Sequence, residues 1–369
     1  MLVFLEGLPG VGKSTNSGLL YRQFERNGFN TRWVPELERS HPVLFFHEAY
    51  FSKEEYQSWK NGQDQDVSFM DRIAQVREDS VGIDLLELSW NHQENLPEAA
   101  FQKLREKNVW NFSLEKYIEV ALEKWKCFAK SVAEKPEQVV ILDSCIFQYQ
   151  IFSFQLENAP KQALDYFIET LWGIVKPLNP KLVYLHRESV TDAIDHLIKA
   201  RGESFIQSIW KRDRQRAYYN SRPDQVETYF EFLADYHQVA HELFEKAPCP
   251  KLSIEVTSAE WGEYEHQLLT FFDLTHLPDP TVRLQEGEFS NQDLVLTMKI
   301  KKDSEGFTMT DPEGNNHRLH SRSEEEFYIH DMPVILNVPD GNHVLIKGIS
   351  LINRWTETGI VFKRIRGRI

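Results

Sequence analysis

The N-terminal segment of the chain passes from a short apolar run through a glycine-rich turn into an amphipathic stretch. Leu2–Leu5 is a continuous apolar run, which is typical of a buried strand. After the turn, apolar residues recur at helical spacing and form the inner face of a predicted helix: Leu19, Leu20, Tyr21 and Phe24. The pattern therefore predicts a strand followed directly by a helix.

Further short apolar runs recur along the first three quarters of the chain, and each ends in polar residues. These runs are Thr31–Pro35, Val139–Asp143, Leu182–His186 and Leu252–Thr257. Helical stretches separate them, and capping boxes mark three of the helix starts, at Ser52–Glu55, Ser189–Asp192 and Thr257–Glu260. This alternation predicts an α/β domain with a parallel sheet and helices on both faces.

The interval between the second and third predicted strands, about residues 40–137, is far longer than one crossover needs. It is rich in aromatic residues, and its pattern is mostly helical from Ser52 onward. An apolar stripe marks the inner face of one helix: Leu114, Ile118, Ala121, Leu122 and Trp125. The aromatic residues serve either as the core of a helical insertion or, at the carboxyl edge of the sheet, as the walls of a substrate pocket.

From about residue 275 the pattern changes to short alternating runs separated by turn residues. Asp279-Pro280 ends the last helical stretch, and six strand candidates follow: Leu294–Ile300, Phe307–Thr310, Phe327–Ile329, Val334–Leu336, Val344–Ile346 and Ile360–Phe362. We therefore expect two domains, an α/β domain over 1–275 and a small all-β domain over 278–369, built as a sandwich or a barrel.

Composition narrows the class of protein. The chain has 369 residues, of which 41% are hydrophobic, and no apolar run approaches the roughly 20 residues of a membrane span. The first strand begins at residue 2, which leaves no room for a cleaved signal peptide, and the three cysteines are widely spaced. We expect a cytoplasmic, reduced protein with neither a disulfide frame nor a zinc site.

Charge argues against general nucleic-acid binding, because the formal net charge is −14 and phosphate backbones require a basic surface. The basic residues are unevenly placed, however, with six lysines and arginines in the interval 201–222. A local basic pocket is therefore compatible with the net negative charge of the chain. The sequence leaves the oligomeric state open.

The turn after the first strand is a complete phosphate loop. Gly7 to Ser14 reads GLPGVGKS and matches GxxxxGK[ST]. Its glycines let backbone N–H groups converge on a polyphosphate, Lys13 reaches the β- and γ-phosphates from a solvent-facing loop, and Ser14 is placed to ligate Mg²⁺. The residues expected to bind the nucleoside triphosphate are Gly7, Pro9, Gly10, Val11, Gly12, Lys13, Ser14 and Thr15. ATP with Mg²⁺ is the expected ligand.

The loop and the strand spacing resemble the P-loop nucleoside and nucleotide kinases, such as thymidylate kinase and the deoxynucleoside kinases. The resemblance covers roughly residues 1–275 and implies a three-layer α/β fold with strand order 2-3-1-4-5. It also implies transfer of a phosphoryl group from ATP to a hydroxyl group. The acceptor is left between a nucleoside-like compound and an antibiotic or other secondary metabolite.

The resemblance also places candidate acids at two strand ends. Glu36 follows the second strand, where deoxynucleoside kinases carry the acid that activates the acceptor hydroxyl, and Glu38 is the alternative base. Asp143 ends the third strand, from which it would hold Mg²⁺ beside the loop. Ser144 stands where the class has an arginine.

Arginines would bring positive charge to the γ-phosphate. After the fourth strand, one helix is predicted to end at Arg201 with Gly202 as its terminator, and a second is predicted to carry Arg212, Arg214 and Arg216. Residues two apart do not share a helix face, so Arg201 and Arg212 are the chosen candidates. The alternative is a solvated basic helix that pairs with nearby acids.

Three functions remain open at this point. A small-molecule kinase is favoured, because Asp143 is followed by Ser144, whereas a motor-type ATPase usually has a second acid at the end of this strand. A nucleotide-dependent switch that acts on a protein partner is the alternative. A binding scaffold, in which the β domain recognises another protein, is the third.

Overall fold

The structure, a computed structural model, describes residues 1–64, 66–304, 306–329, 334–348 and 359–365, except for the side chains at 93, 200 and 201. The chain divides into two compact units. The first comprises Met1–Trp33 and Ser40–Thr275, and the second comprises Val34–Arg39 and His276–Ile369. The segment that follows the second strand thus groups with the C-terminal part of the chain.

Strands up to residue 275 fall into two sheets. They are β1 (Leu2–Gly7), β2 (Thr31–Val34), β3 (Glu48–Ser52), β4 (Ala74–Val76), β5 (Ser80–Asp84), β6 (Val139–Asp143), β7 (Pro180–His186) and β8 (Lys251–Glu255). β2, β6, β1, β7 and β8 form a five-stranded parallel sheet in that order, which confirms the predicted order 2-3-1-4-5. Leu5 of β1 pairs with Asp143 of β6, so the acid lies at the carboxyl end of the strand beside the phosphate loop.

Helices connect these strands. They are α1 (Lys13–Arg26), α2 (Lys53–Asn61), α3 (Met70–Ile73), α4 (Leu85–Asn91), α5 (Glu98–Glu106), α6 (Leu114–Ala133), α7 (Gln148–Leu156), α8 (Lys161–Val175), α9 (Val190–Arg201), α10 (Glu203–Asp213), α11 (Glu227–Lys246) and α12 (Trp261–Phe272). Single 3₁₀ turns lie at Gln93–Asn95, Val109–Asn111, Lys176–Leu178 and Ala217–Tyr219.

The long insertion contains a sheet as well as helices. β3, β5 and β4 form a three-stranded antiparallel sheet within the stretch predicted to be mostly helical. It packs with the surrounding helices around a core of its own, which includes Phe51, Ile83 and Phe101. On α6 the buried face is rotated from the predicted stripe: Ala121 and Trp125 are buried, but Leu114, Ile118 and Leu122 are only half-buried.

Two of the three predicted capping boxes form caps. The Ser52 hydroxyl accepts from Glu55 N–H in a full box, and the Ser189 hydroxyl accepts from Asp192 N–H. The third prediction is wrong, because α12 begins at Trp261 without a side-chain cap and the Thr257 hydroxyl bonds to Glu255 instead. The helix therefore starts later than the pattern suggested.

The second unit contains a closed antiparallel barrel. Its strands are β9 (Gly287–Asn291), β10 (Leu296–Asp303), β11 (Gly306–Thr310), β12 (Asn316–Ser321), β13 (Glu326–Ile329), β14 (Ile335–Asn337), β15 (His343–Lys347) and β16 (Ile360–Arg364). β9 and β12 were not predicted, because few of their inward residues are apolar. On β12 an inward position is taken by His317, which is buried against the Asp311 carboxylate at 2.9 Å. No helix continues through 274–286, which is irregular.

Candidate functional site

The phosphate loop has a backbone that only glycine adopts readily. Gly10 and Gly12 have φ angles of +84° and +90°, and the latter leads directly into α1 at Lys13. Gly7 is constrained by space as well, since a Cβ atom there would lie 2.2 Å from the Leu185 carbonyl oxygen. The loop therefore points the N-terminus of a fourteen-residue helix at the space above the sheet.

Lys13 is more enclosed than the sequence suggested. Its side chain was expected on a solvent-facing loop, but the residue is 6% exposed. The ammonium group donates to the Leu8 carbonyl oxygen at 2.9 Å, within its own loop. The positive charge of Lys13 therefore lies beside the backbone of its own loop.

Ser14 and Asp143 form the polar centre of the loop. The Ser14 hydroxyl donates to Asp143 Oδ2 at 2.7 Å, and the Ser144 hydroxyl donates to Oδ1 at 2.8 Å. Burial raises the pKa of Asp143, which is fully buried, and the nearby Lys13 charge and these hydroxyls oppose the rise. One hydroxyl and one carboxylate at the loop suit Mg²⁺, which is commonly held by one or two carboxylates together with substrate phosphates and water.

Ser144 has an uncommon backbone. Its φ of +62° lies in the left-handed region, and its N–H donates to the Leu5 carbonyl oxygen at 3.0 Å. The residue is fully buried. The chain thus turns sharply at the end of β6, and the Ser144 hydroxyl bonds to Asp143.

Glu6 is a site residue that the sequence reasoning missed. It is fully buried, immediately before the loop, and its carboxylate accepts from Ile146 N–H at 2.7 Å and Gln148 N–H at 3.0 Å. Burial raises the pKa of Glu6 to about 7, opposed by these hydrogen bonds and by Lys13. The available signal was an acid at the end of an otherwise apolar strand.

The predicted base residues lie outside the first unit. Glu36 and Glu38 are half-buried and belong to Val34–Arg39, which groups with the second unit. The first unit, taken by itself, brings Lys13, Ser14 and Asp143 together without either glutamate.

The predicted arginines have different surroundings. α9 ends at Arg201 and Gly202 follows with a φ of +84°, as predicted, but the side chain of Arg201 lies outside the described part of the chain. α10 ends at Asp213, so the prediction that this helix carries Arg214 and Arg216 is wrong. Arg212 donates twice to the buried Asp213 carboxylate, at 2.7 and 2.6 Å, and its guanidinium lies 5.6 Å from the Trp110 ring.

An aromatic cavity lies near this arginine. It is small, with a volume of about 30 Å³, and it is lined by Val109, Trp110, Phe112, Leu114, Tyr117, Tyr149, Ser153, Glu157 and Arg216. Tyr149 comes six residues after Asp143, and its hydroxyl donates to the Phe45 carbonyl oxygen at 3.0 Å. Arg216 and Glu157 pair at 2.7 Å in the cavity wall, so their charges compensate each other.

Trp261 lies against the phosphate loop on another side. A Cβ atom at Gly12 would be 3.1 Å from its indole ring, while the residue is 43% exposed and packs edge-on to Tyr264. Its indole therefore combines contact with the loop and an open surface.

Comparison with known proteins identifies no family for this chain: no family model matches it, and neither does any curated protein. In the described part of the chain, no helix is long and apolar enough to cross a membrane. No group of three or more histidine, cysteine, aspartate or glutamate residues that could hold a metal occurs among the described residues.

Proposed function

We propose that the chain is an ATP- and Mg²⁺-dependent phosphotransferase that acts on a hydroxyl group of a small molecule. The observation that carries the proposal is the phosphate loop with its serine bonded to the strand-end acid, Ser14 to Asp143 at 2.7 Å. This arrangement supports nucleotide binding.

The loop residues would share the work on the nucleotide. Lys13 and the backbone N–H groups of the loop neutralise phosphate charge, and Trp261 offers a face for the base. Ser14 and Asp143 would hold Mg²⁺, which would supply positive charge for the phosphate oxygens. Arg201 and Arg212 are the candidate arginines for the γ-phosphate, and Glu36 is the candidate base for the acceptor hydroxyl.

The resemblance to nucleoside kinases favours a nucleoside-like acceptor, and an antibiotic or other secondary metabolite comes next. The aromatic cavity carries no argument for either acceptor, because its volume of about 30 Å³ is far below that of a ligand site.

The decisive experiment measures ADP release from Mg·ATP with and without a panel of nucleosides and aromatic antibiotics, with phosphorylated product identified by mass spectrometry. Lys13→Ala removes a charge at the phosphates, so we expect turnover to fall by roughly two or more decades. Lys116→Ala, on the half-exposed face of α6, is the matched control and should keep wild-type turnover. Near-normal turnover in a folded Lys13→Ala protein would remove the loop from catalysis.

A nucleotide-dependent switch is the second candidate, because the closed barrel forms part of a separate unit that a small-molecule kinase does not require. The same assay separates the two functions. Acceptor-dependent ADP release supports the transferase. Hydrolysis that responds only to a protein partner supports the switch.

A further inference from the structure

Arg187 is a buried cation without a counter-charge in the described part of the chain. The residue is 7% exposed, and its Nε has no hydrogen-bond partner. The arginines of the nearby basic stretch whose side chains the structure describes differ in this respect, because each lies beside an acid: Arg212 beside Asp213, Arg214 beside Asp224, Arg216 beside Glu157, and Arg222 beside Glu231. Buried charges in proteins are ordinarily paired, so the exception requires an explanation.

Arg187 lies between two elements that flank the phosphate loop. It follows β7 directly, and in that strand Leu185 pairs with Gly7. On the other side, Leu197 of α9 approaches the loop, since its Cδ1 would lie 3.3 Å from a Cβ atom at Gly10. The neighbouring His196 interacts with Arg187: burial first, and then the charges of Arg187 and Lys199, lower the pKa of His196. That histidine is therefore no anionic partner for the guanidinium.

The charged groups of the loop are held by hydrogen bonds to neutral groups, although the Lys13 charge also acts on the nearby Asp143 and Glu6 carboxylates. Lys13 donates to a backbone carbonyl and not to an acid, while the Asp143 carboxylate is engaged by two hydroxyls. Arg187 lies at the same end of the sheet as the loop, because Leu185, two residues before it, pairs with Gly7. A polyphosphate carries several negative oxygens, and a guanidinium binds such oxygens through charge-assisted hydrogen bonds.

From this placement we infer that Arg187 is a nucleotide-binding residue whose guanidinium donates to phosphate oxygens of the triphosphate in the loop. The inference rests on the proposed function and adds a residue that the loop motif does not include. It separates Arg187 from the acid-paired arginines, which must release a carboxylate before they bind a phosphate.

The test compares wild-type protein with Arg187→Met and Arg187→Lys. Calorimetry measures affinity for the Mg²⁺ complex of a non-hydrolysable ATP analogue, and thermal unfolding is followed with and without the analogue. Arg187→Met should weaken binding by about tenfold or more, the scale of one hydrogen bond to a charged group. Arg187→Lys, which keeps the charge but loses the planar fork, should lie between Met and wild type.

Thermal unfolding distinguishes this role from a structural one. Removing an unpaired buried charge should leave the melting temperature of ligand-free Arg187→Met equal to or above that of wild type, while the rise caused by the analogue becomes smaller. Arg222→Gln, which loses an arginine that lies near acids, is the matched control and should bind the analogue as wild type does.

Two patterns of failure are distinguishable. Wild-type protein that does not bind the analogue overturns the proposed function and this inference with it. If wild-type protein binds the analogue and Arg187→Met binds it with equal affinity, only the inference is overturned. The inference is also overturned if the melting temperature of ligand-free Arg187→Met falls below that of wild type while its affinity for the analogue is unchanged. If the methionine variant is insoluble, unchanged affinity of Arg187→Lys overturns the inference.

Discussion

At the scale of single residues, burial sets the chemistry around the loop. Lys13, Asp143 and Glu6 are all buried, and each forms hydrogen bonds with protein groups. Glu6 accepts from two backbone N–H groups just after Ser144 and so supports the turn that ends β6. We regard Glu6 as a positioning residue for the strand end that carries Asp143.

Glu6 should give the protein a particular pH dependence. Its pKa is raised from 4.5 to about 7 in the folded state, so the folded protein binds more protons than the unfolded chain between these pH values. The free energy of unfolding should therefore fall as pH rises through this window, by up to roughly 3 kcal/mol. Glu6→Gln does not titrate and should lack this component.

Urea unfolding of wild type and Glu6→Gln at pH 5 and pH 8 measures the difference. Glu115→Gln, on the exposed side of α6, is the control and should follow the wild-type pH dependence. Parallel pH profiles for wild type and Glu6→Gln would show that Glu6 does not carry this proton.

The two candidate acids at strand ends should have separable effects. Asp143→Asn should impair Mg²⁺-dependent nucleotide binding and turnover with every acceptor, because β6 adjoins β1 and Asp143 bonds Ser14. Glu36→Gln should lower turnover with a milder effect on nucleotide binding, because β2 lies one position further out. Affinity for Mg·ATP and acceptor-dependent turnover are the measurements. Equal loss of Mg·ATP binding in both variants would place the base elsewhere.

At the scale of elements, the phosphate loop depends on close contact with the neighbouring strand. Gly7→Ala would put a Cβ atom 2.2 Å from the Leu185 carbonyl oxygen at a φ of +151°, so the backbone must shift. We expect a loss of about 1–3 kcal/mol in unfolding free energy, together with loss of ATP binding.

Gly173→Ala is the matched control for this change. Gly173 lies within α8, and nothing is within 4 Å of a Cβ atom placed there. This substitution should stabilise the protein by about 0.5–1 kcal/mol, because alanine is the better helix former. Thermal or urea unfolding measures the stability of both variants. A Gly7→Ala protein as stable as wild type would refute the steric argument.

At the scale of the whole molecule, the chain passes between its two units three times. It enters the second unit at residue 34, returns to the first at residue 40, and enters the second again at residue 276. The irregular stretch 274–286 includes exposed residues and follows the end of α12. A broad-specificity protease at low concentration should therefore cut first between Leu274 and Pro280.

The nicked protein should remain one species under native conditions. Because residues 34–39 stay covalently attached to the N-terminal fragment but belong to the second unit, they hold the C-terminal fragment after cleavage. Gel filtration should give a single peak and denaturing electrophoresis two bands. Two peaks under native conditions would show that this segment does not hold the fragments together, and earlier cleavage within the barrel strands would contradict the boundary.

The sequence by itself determined the features that depend on local pattern. The apolar run Val139–Asp143 is β6 from end to end, because every residue of that strand is buried and no polar residue interrupts the run. Gly202 ends α9 because its left-handed backbone favours glycine. The glycines and lysine of the phosphate loop were recognisable for the same reason, since their spacing encodes a backbone shape.

Tertiary structure alone decided the features that depend on distant partners. β9 and β12 pair within the barrel although their own apolar pattern is weak, because neighbouring strands supply the hydrogen bonds. The pKa of Glu6 and the unpaired charge of Arg187 follow from burial by residues far away in sequence. The periodicity of a segment indicates the secondary structure that it favours, whereas its burial and charge pairing depend on the segments that contact it in the fold.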